Sequence, residues 1–293
     1  MGKSLFSYVL IAPCIAIMLF VVAYPTVYAL YVSFFSWNLA QPRLGFKFVG
    51  LDNYAKALLD DPLFIESVKT TFYFVILSVT TEFFLGFGLS LLLHRELRGV
   101  SVIRSILLLP MMIAPILVAL MWRYMYFGEY GILPYIITWI LGIQLPAGGL
   151  IGDKVLALIS IVIADAWEWT PLVMLILLAG LESLPIDPFE SAVVDGASTY
   201  QTFKYITLPL MRPFILVALL MRTMDAFKIF DLVYVLTKGG PGTATMVMGF
   251  YAYNEGLKFF NIGYAASLVM IISYIVIFVS LTYIRVIYRG KEI

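Results

Sequence analysis

The sequence predicts an all-α integral membrane protein with six transmembrane helices, and three observations carry that prediction. Of its 293 residues, 62% are apolar and only 13% charged, with a mean hydropathy of +0.98, outside the usual range of soluble globular domains. The charges are clustered and leave long charge-poor stretches between them. A bilayer core of about 30 Å needs about 20 helical residues, and six of these stretches are long enough. Arginine and lysine also gather in short segments that an even number of crossings brings to one side.

The spans fall at about residues 5–35, 70–93, 105–122, 155–181, 213–237 and 259–284, within a single transmembrane domain over 1–293. The first is too long for the apolar region of a secretory signal and lacks a small-residue cleavage site after it, so it is expected to be retained. Residues 130–152 are also uncharged, but Gly131, Pro134, Gly142, Pro146, Gly148, Gly149 and Gly152 interrupt them. The clean run of 135–141 is too short to cross, and predicts an interfacial or re-entrant helix.

Arg95, Arg98 and Arg104 share one short loop, while Arg285, Arg289 and Lys291 lie on the C-terminal tail, on the same side as Lys3. The positive-inside rule makes that side cytoplasmic, both termini included. Arg43, Lys47, Lys56 and Lys69 then sit outside, interspersed with Asp52, Asp60, Asp61 and Glu66.

Composition excludes several functions. A net charge of +1 gives no basic excess for nucleic acid. Cys14 is the sole cysteine and His94 the sole histidine, so a zinc site and a Ser/His/Asp triad both lack partners. No metal, resident cofactor or enzymatic role is expected. Asp165 and Glu168 are two carboxylates, as glycosidases use, but they lie in the middle of a span.

The inner loop 182–212 holds the most informative pattern. Pro188 can open a short helix with Phe189, Ala192 and Val193 as its apolar stripe and Glu190 in its first turn, and Gly196 then ends it. A second amphipathic piece runs through Phe203, Tyr205 and Ile206, and Pro209 and Pro213 are expected to restart the chain into the fifth span. Such a helix pair either docks in a groove of a partner or lies on the membrane surface.

The spacing Glu190-x-Ala192, Gly196, then Ile206-x-Leu208-Pro209 resembles the EAA loop of binding-protein-dependent ABC importer permeases. One fixed position departs, where Ser191 replaces the first alanine. Ala12-Pro13, Tyr24-Pro25, the Phe48–Tyr54 segment and the Phe230–Gly242 segment are similar to the carbohydrate branch, which includes maltose, trehalose and glycerol-3-phosphate permeases. The resemblance implies a type I ABC importer permease fold and transport of a sugar or polyol by alternating access in a prokaryotic inner membrane. It implies a heterodimer with a second six-span permease, two ATPase subunits that hold the ATP and Mg, and an external binding protein. Carried over by position, Glu190, Ser191, Ala192, Asp195, Gly196, Ala197, Ile206, Leu208 and Pro209 form the ATPase-coupling loop, and Gly239, Gly240, Pro241 and Gly242 face the binding protein. A plain flexible turn is the alternative for that glycine run, which is no phosphate loop because it follows a helix and lacks the Gly-Lys-Ser/Thr end.

Seven ionisable residues lie inside the predicted spans, where they are costly and turn toward a bundle interior or a water-filled cavity. Glu82 is in the second span, and Asp165 and Glu168 are in the fourth, flanked by Trp167 and Trp169 and followed by Pro171, which can kink that helix. Arg222, Asp225, Lys228 and Asp231 recur every three residues with alternating sign, as one slowly drifting helical face. These groups either line the substrate path or neutralise one another, and both readings stay open. An ion-coupled secondary transporter using Glu82, Asp165 or Asp225 is the rival function, although no repeat of two halves is visible; a non-transporting membrane subunit is the other.

Overall fold

Proline decides where several of the helices change character. The structure, a computed structural model, describes residues 3–95, 99–128, 130–146 and 148–289; Arg98 and Lys291 of the topology argument lie outside the described residues. Helix α1 (Lys3–Met18) passes through a π turn at Leu19–Ala23 into α2 (Tyr24–Ser33). The wider turn sits just before Pro25, which has no N–H to give to the preceding turn. A hairpin of β1 (Phe35–Ser36) and β2 (Lys47–Phe48) follows, then α3 (Asp52–Ala55) and the long α4 (Pro62–Leu93).

The third predicted span is two pieces. Helices α5 (Val100–Leu108) and α6 (Pro115–Tyr126) flank a 3₁₀ turn at Pro110–Met112, because Pro110 and Pro115 each interrupt the α-helical hydrogen bonding. The short interfacial helix expected near 135–141 is α7 (Ile132–Tyr135) with a π turn at Ile136–Ile140. Helix α8 (Lys154–Glu182) runs unbroken through Pro171. The loop helix α9 (Asp187–Val194) leads to α10 (Thr199–Thr202), a π turn at Phe203–Thr207, and α11 (Leu208–Ala226). Helices α12 (Asp231–Leu236), α13 (Met248–Tyr253) and α14 (Ile262–Arg289) complete the chain.

Five helical stretches among the described residues are long and apolar enough to cross a bilayer: Leu10–Ser33, Pro62–Leu93, Lys154–Glu182, Thr199–Ala226 and Ile262–Arg285. The α5–α6 pair stands where the remaining span is predicted. One expectation is corrected: Pro209 and Pro213 do not restart the chain, since helix continues from Thr199 to Ala226. The π turn ahead of Pro209 absorbs its missing donor.

The chain divides into two compact units, Met1–Ile65 with Tyr251–Ile275, and Glu66–Phe250 with Val276–Ile293. In the first unit, Phe35 pairs with Phe48 and Ser36 with Lys47. Asn53 Nδ2 donates to the carbonyls of Ser33 and Phe35, both at 2.9 Å. Asp61 caps α4, its Oδ1 accepting the Leu63 and Phe64 N–H groups at 3.1 and 3.0 Å. Its Oδ2 accepts the Tyr251 and Tyr264 hydroxyls at 2.6 and 2.5 Å.

Burial alone would raise the Asp61 carboxyl, but the two phenols and two backbone N–H groups outweigh it and hold the group below its ordinary 3.8. Burial, and then the carboxylate beside it, push the Tyr251 phenol up, so it stays a donor. A depressed folded value stabilises above the unfolded value and is lost as pH falls through the folded one. Asp61→Ala is expected to cost about 2–3 kcal/mol at neutral pH. That difference should shrink as pH falls below about 3.8, measured by thermal unfolding of wild type and variant across pH.

In the second unit, Val173, Leu177 and Leu181 of α8 pack with Met211 and Ala218 of α11, and Phe83, Phe87 and Leu91 of α4 close over them. A Cβ at Gly180 would lie 2.6 Å from the Phe214 ring, so this crossing is close because the residue has no side chain. Arg104 Nη2 donates to the Leu93 carbonyl at 3.0 Å and to Glu182 Oε1 at 2.8 Å, tying the ends of α4 and α8 to the middle of α5. Helix α12 packs on α6, where Arg123 Nη1 donates to the Val235 carbonyl at 3.1 Å.

Candidate functional site

Three helices of the second unit bring their charged residues to one point. Ser78 and Glu82 are one turn apart on α4, Asp165 faces them from α8, and Arg222 reaches in from α11. Arg222 and Glu82 are 1% and 0% exposed. The guanidinium donates from Nε and Nη2 to the two oxygens of Glu82, from Nη2 to Asp165 Oδ2, and from Nη1 to Asp225 Oδ2 at 3.1 Å. Ser78 Oγ lies within hydrogen-bond reach of Glu82 Oε1, at 2.8 Å, and of Asp165. The planar, five-donor guanidinium suits this multiple pairing, which a single ammonium could not match. The Arg222 Cζ also stands 5.5 Å from the centre of the Trp169 ring.

A cavity of about 120 Å³ opens beside this cluster. Its wall includes Asp165 and Arg222 of the cluster itself, then Glu168, Trp169, Asp225, Lys228 and Asp231, with Pro115 and Phe230. Glu168 is 1% exposed, and its Oε2 has no hydrogen-bond partner among the described residues. The wall therefore offers carboxylate acceptors, an ammonium donor and an aromatic face to a polar solute.

The predicted single helical face of Arg222, Asp225, Lys228 and Asp231 is corrected here. Helix α11 ends at Ala226, and α12 begins only at Asp231. The intervening turn is closed by the Lys228 N–H on the Asp225 carbonyl, 2.9 Å, and the Ile229 N–H on the Ala226 carbonyl, 3.2 Å. Non-helical backbone within a membrane protein persists where it is buried in protein or lines a cavity, and this turn lines one. Trp167 stands elsewhere, its ring 5.9 Å from Trp122 in an edge-on contact. Sequence reasoning misses Ser78, whose four-residue spacing to Glu82 is the signal that could have found it, whereas Pro115 and Phe230 carry no local signal of their place at the cavity.

The inner loop forms a second concave feature. Gly196 adopts φ +73°, and α9 stops in a Schellman arrangement: the Ala197 N–H reaches the Ala192 carbonyl at 2.9 Å and the Gly196 N–H the Val193 carbonyl at 3.1 Å. Ser198 then starts α10 with a capping box to Gln201. Pro188, Ser191, Ala192, Asp195, Gly196 and Ala197 line one side of a groove completed by Gln201, Thr202, Tyr205 and Ile206. Ala192 is buried, while Val193 and Val194 are 77% and 86% exposed, so part of the apolar stripe expected to face one way is left open. Glu190 and Leu208 are exposed and Pro209 half-buried.

The Gly239–Gly242 run is a built turn. Gly239 and Gly242 take φ +83° and +63°, and the Gly240-Pro241 bond is cis. Thr245 Oγ1 donates to the Gly240 carbonyl at 2.7 Å, and the Thr245 N–H meets the Gly239 carbonyl at 3.2 Å.

Residues 83–289 match the family described as binding-protein-dependent transport system inner membrane component. The chain is 38% identical over 276 residues to the trehalose/maltose transport system permease protein MalF of Thermococcus litoralis, covering 93% of this chain and 92% of that protein. It is 36% identical over 276 residues to the trehalose transport system permease protein SugA of Mycobacterium tuberculosis, covering 93% and 85%. To the sulfoquinovosyl glycerol transport system permease protein SmoG of Agrobacterium fabrum it is 32% identical over 294 residues, covering 100% and 93%. Its fold is similar to a chain in the crystal structure of a bacterial ABC transporter that imports the acidic polysaccharide alginate, with a TM-score of 0.82 at 20% identity, covering 98% and 96%. The EAA-like spacing, the membrane helices and these likenesses agree: the chain belongs to the family of binding-protein-dependent transport system inner membrane components, the permeases of ABC importers.

Proposed function

We propose that this permease carries a neutral sugar or related polyol through the cavity beside Arg222. The observation that carries the reading is the wall of Glu168, Trp169, Asp225, Lys228 and Asp231. Carboxylates accept hydroxyl hydrogen bonds, an ammonium donates them, and an indole stacks on a sugar ring. Glu82, Asp165 and Arg222 are engaged with one another, so their role in this reading is to hold three helices and keep the wall in place. The alternating signs favour a neutral solute over an anion. The names of the relatives, permeases of trehalose, maltose and sulfoquinovosyl glycerol transport, support the sugar class; trehalose and maltose are neutral, whereas sulfoquinovosyl glycerol is an anion, so the charge of the solute rests on the cavity wall alone.

In this reading a second permease completes the path, two ATPase subunits dock on the coupling loops, on this chain at the groove between Pro188 and Ile206 with Glu190 exposed beside it, and a binding protein delivers substrate at the Gly239–Gly242 turn. Both termini face the cytoplasm. ATP binding closes the ATPases, moves α9, and switches the cavity from inward to outward access. An ion-coupled carrier using Glu82 or Asp165 would need that group free to load and release its ion, whereas Arg222 holds both in buried pairs.

Glu168→Gln in the reconstituted transporter tests the site. Removing one hydrogen bond between the carboxyl and substrate is expected to lower sugar uptake about tenfold, with ATP hydrolysis in the absence of substrate unchanged. Uptake at the wild-type rate would overturn the assignment.

A further inference from the structure

The segment after the first span carries two basic residues, Arg43 and Lys47, and no acid from Trp37 to Leu51. Both side chains are exposed, and neither has an ion-pair partner among the described residues. The same segment holds a rigid aromatic cluster. Tyr31, in the last turn of α2, has its ring centre 4.7 Å from that of Phe35. The rings of Phe35 and Phe46 stack at 4.1 Å, Phe48 meets Phe35 edge-on at 5.4 Å, and Trp37 meets Phe46 edge-on at 5.5 Å. Packing in this way does not hide them: Tyr31, Phe46 and Phe48 are 52%, 46% and 66% exposed. The hairpin that presents them is held by its own ladder, by Asn53, and by the Gly263 N–H on the Trp37 carbonyl at 3.1 Å.

Chain reach fixes the depth of this cluster. Helix α2 ends at Ser33 and Phe35 starts the hairpin, two residues and at most about 7 Å farther on. A lipid-crossing helix that ends there puts the rings at the boundary between acyl chains and headgroups, where aromatic side chains concentrate in membrane proteins. The ladder of Phe20, Tyr24 and Tyr28 stacked at 6.2 Å intervals continues the same aromatic surface down the span. Two cations beside a ring cluster at that depth complement lipid phosphates.

We propose that the hairpin of Phe35–Phe48 is an interfacial anchor that binds anionic phospholipid headgroups where the first span ends. Phe46 and Phe48 enter the boundary, and Arg43 and Lys47 hold the phosphates. This also accounts for basic residues in a loop that the positive-inside rule would leave without them.

The test uses the full transporter in vesicles of phosphatidylcholine alone or with about one third phosphatidylglycerol. A spin label is placed at Leu51→Cys in a Cys14→Ser background. Collisions with oxygen and with a water-soluble nickel chelate report its depth. The expected result is a label shielded from nickel and open to oxygen when phosphatidylglycerol is present. Adding Arg43→Gln and Lys47→Gln should raise nickel collisions several-fold and remove the effect of the anionic lipid, with ATP hydrolysis unchanged. Three results would overturn the proposal: nickel access equally high in both lipids, shielding that ignores lipid charge and the two substitutions, or shielding from oxygen and nickel alike, which would mean that protein covers the face.

Discussion

Arg222→Met is expected to destabilise the assembled transporter by about 3–5 kcal/mol, because it leaves carboxylates buried without their counter-charge. Glu82 is 0% exposed and Asp165 4%, so water cannot take over the lost hydrogen bonds, and two carboxyl groups are left facing each other across α4 and α8 without a counter-charge. Thermal unfolding of the purified complex reads the effect directly. The single substitution could also block assembly, so the informative comparison is Arg222→Met with Glu82→Gln and Asp165→Asn. Replacing a buried charge group as a whole removes the desolvation cost along with the attraction and is often nearly neutral. The triple variant should therefore recover most of the lost stability. Failure to recover would show that Arg222 acts by some means other than neutralising these acids.

If the loop couples to the ATPases as proposed, Gly196→Val should uncouple it. The residue sits at φ +73°, where an L side chain costs about 1–2 kcal/mol, and a β-branched one is a genuine outlier. The strain acts on the Schellman turn that sets the angle between α9 and α10, and so on the groove of Ser191, Ala192, Asp195 and Gln201. A loss of about 2 kcal/mol from the docking geometry corresponds to about a 30-fold fall in its population. Substrate-stimulated ATP hydrolysis and uptake should drop together by that order. Asn tolerates the left-handed conformation, so Gly196→Asn should keep most of both activities. Equal loss in the two variants would show that the size of the side chain, not backbone strain, is responsible.

Much of the helix layout was legible in the sequence. Spans at α8 and α14, the short α7, and α9 with its stop at Gly196 follow from apolar runs, prolines and a glycine read within a few residues, whereas α4 starts at Pro62, eight residues before the predicted span, because its first two turns carry charges that end an apolar run without ending a helix. The departures have local causes as well, but competing ones. Pro110 and Pro115 split the third span, whereas Pro171, Pro209 and Pro213 are carried inside continuous helix. Proline alone does not tell which outcome follows, because a neighbouring helix, a π turn or a 3₁₀ turn can each accommodate the missing donor.

At the site, the sequence by itself determined which residues are costly in a membrane and must find partners: Glu82, Asp165, Glu168, Arg222, Asp225, Lys228 and Asp231. Only the tertiary structure decided who pairs with whom. Glu82 and Arg222 are 140 residues apart, and Asp165 and Arg222 are 57 apart. It set Trp169 against the guanidinium and Trp167 against Trp122, and it broke the helix after Ala226 so that Lys228 and Asp231 reach the same wall. The reason is physical. Periodicity and turn chemistry act between residues a few positions apart and are written in their order, whereas charge pairing and cavity walls depend on which faces of distant helices meet.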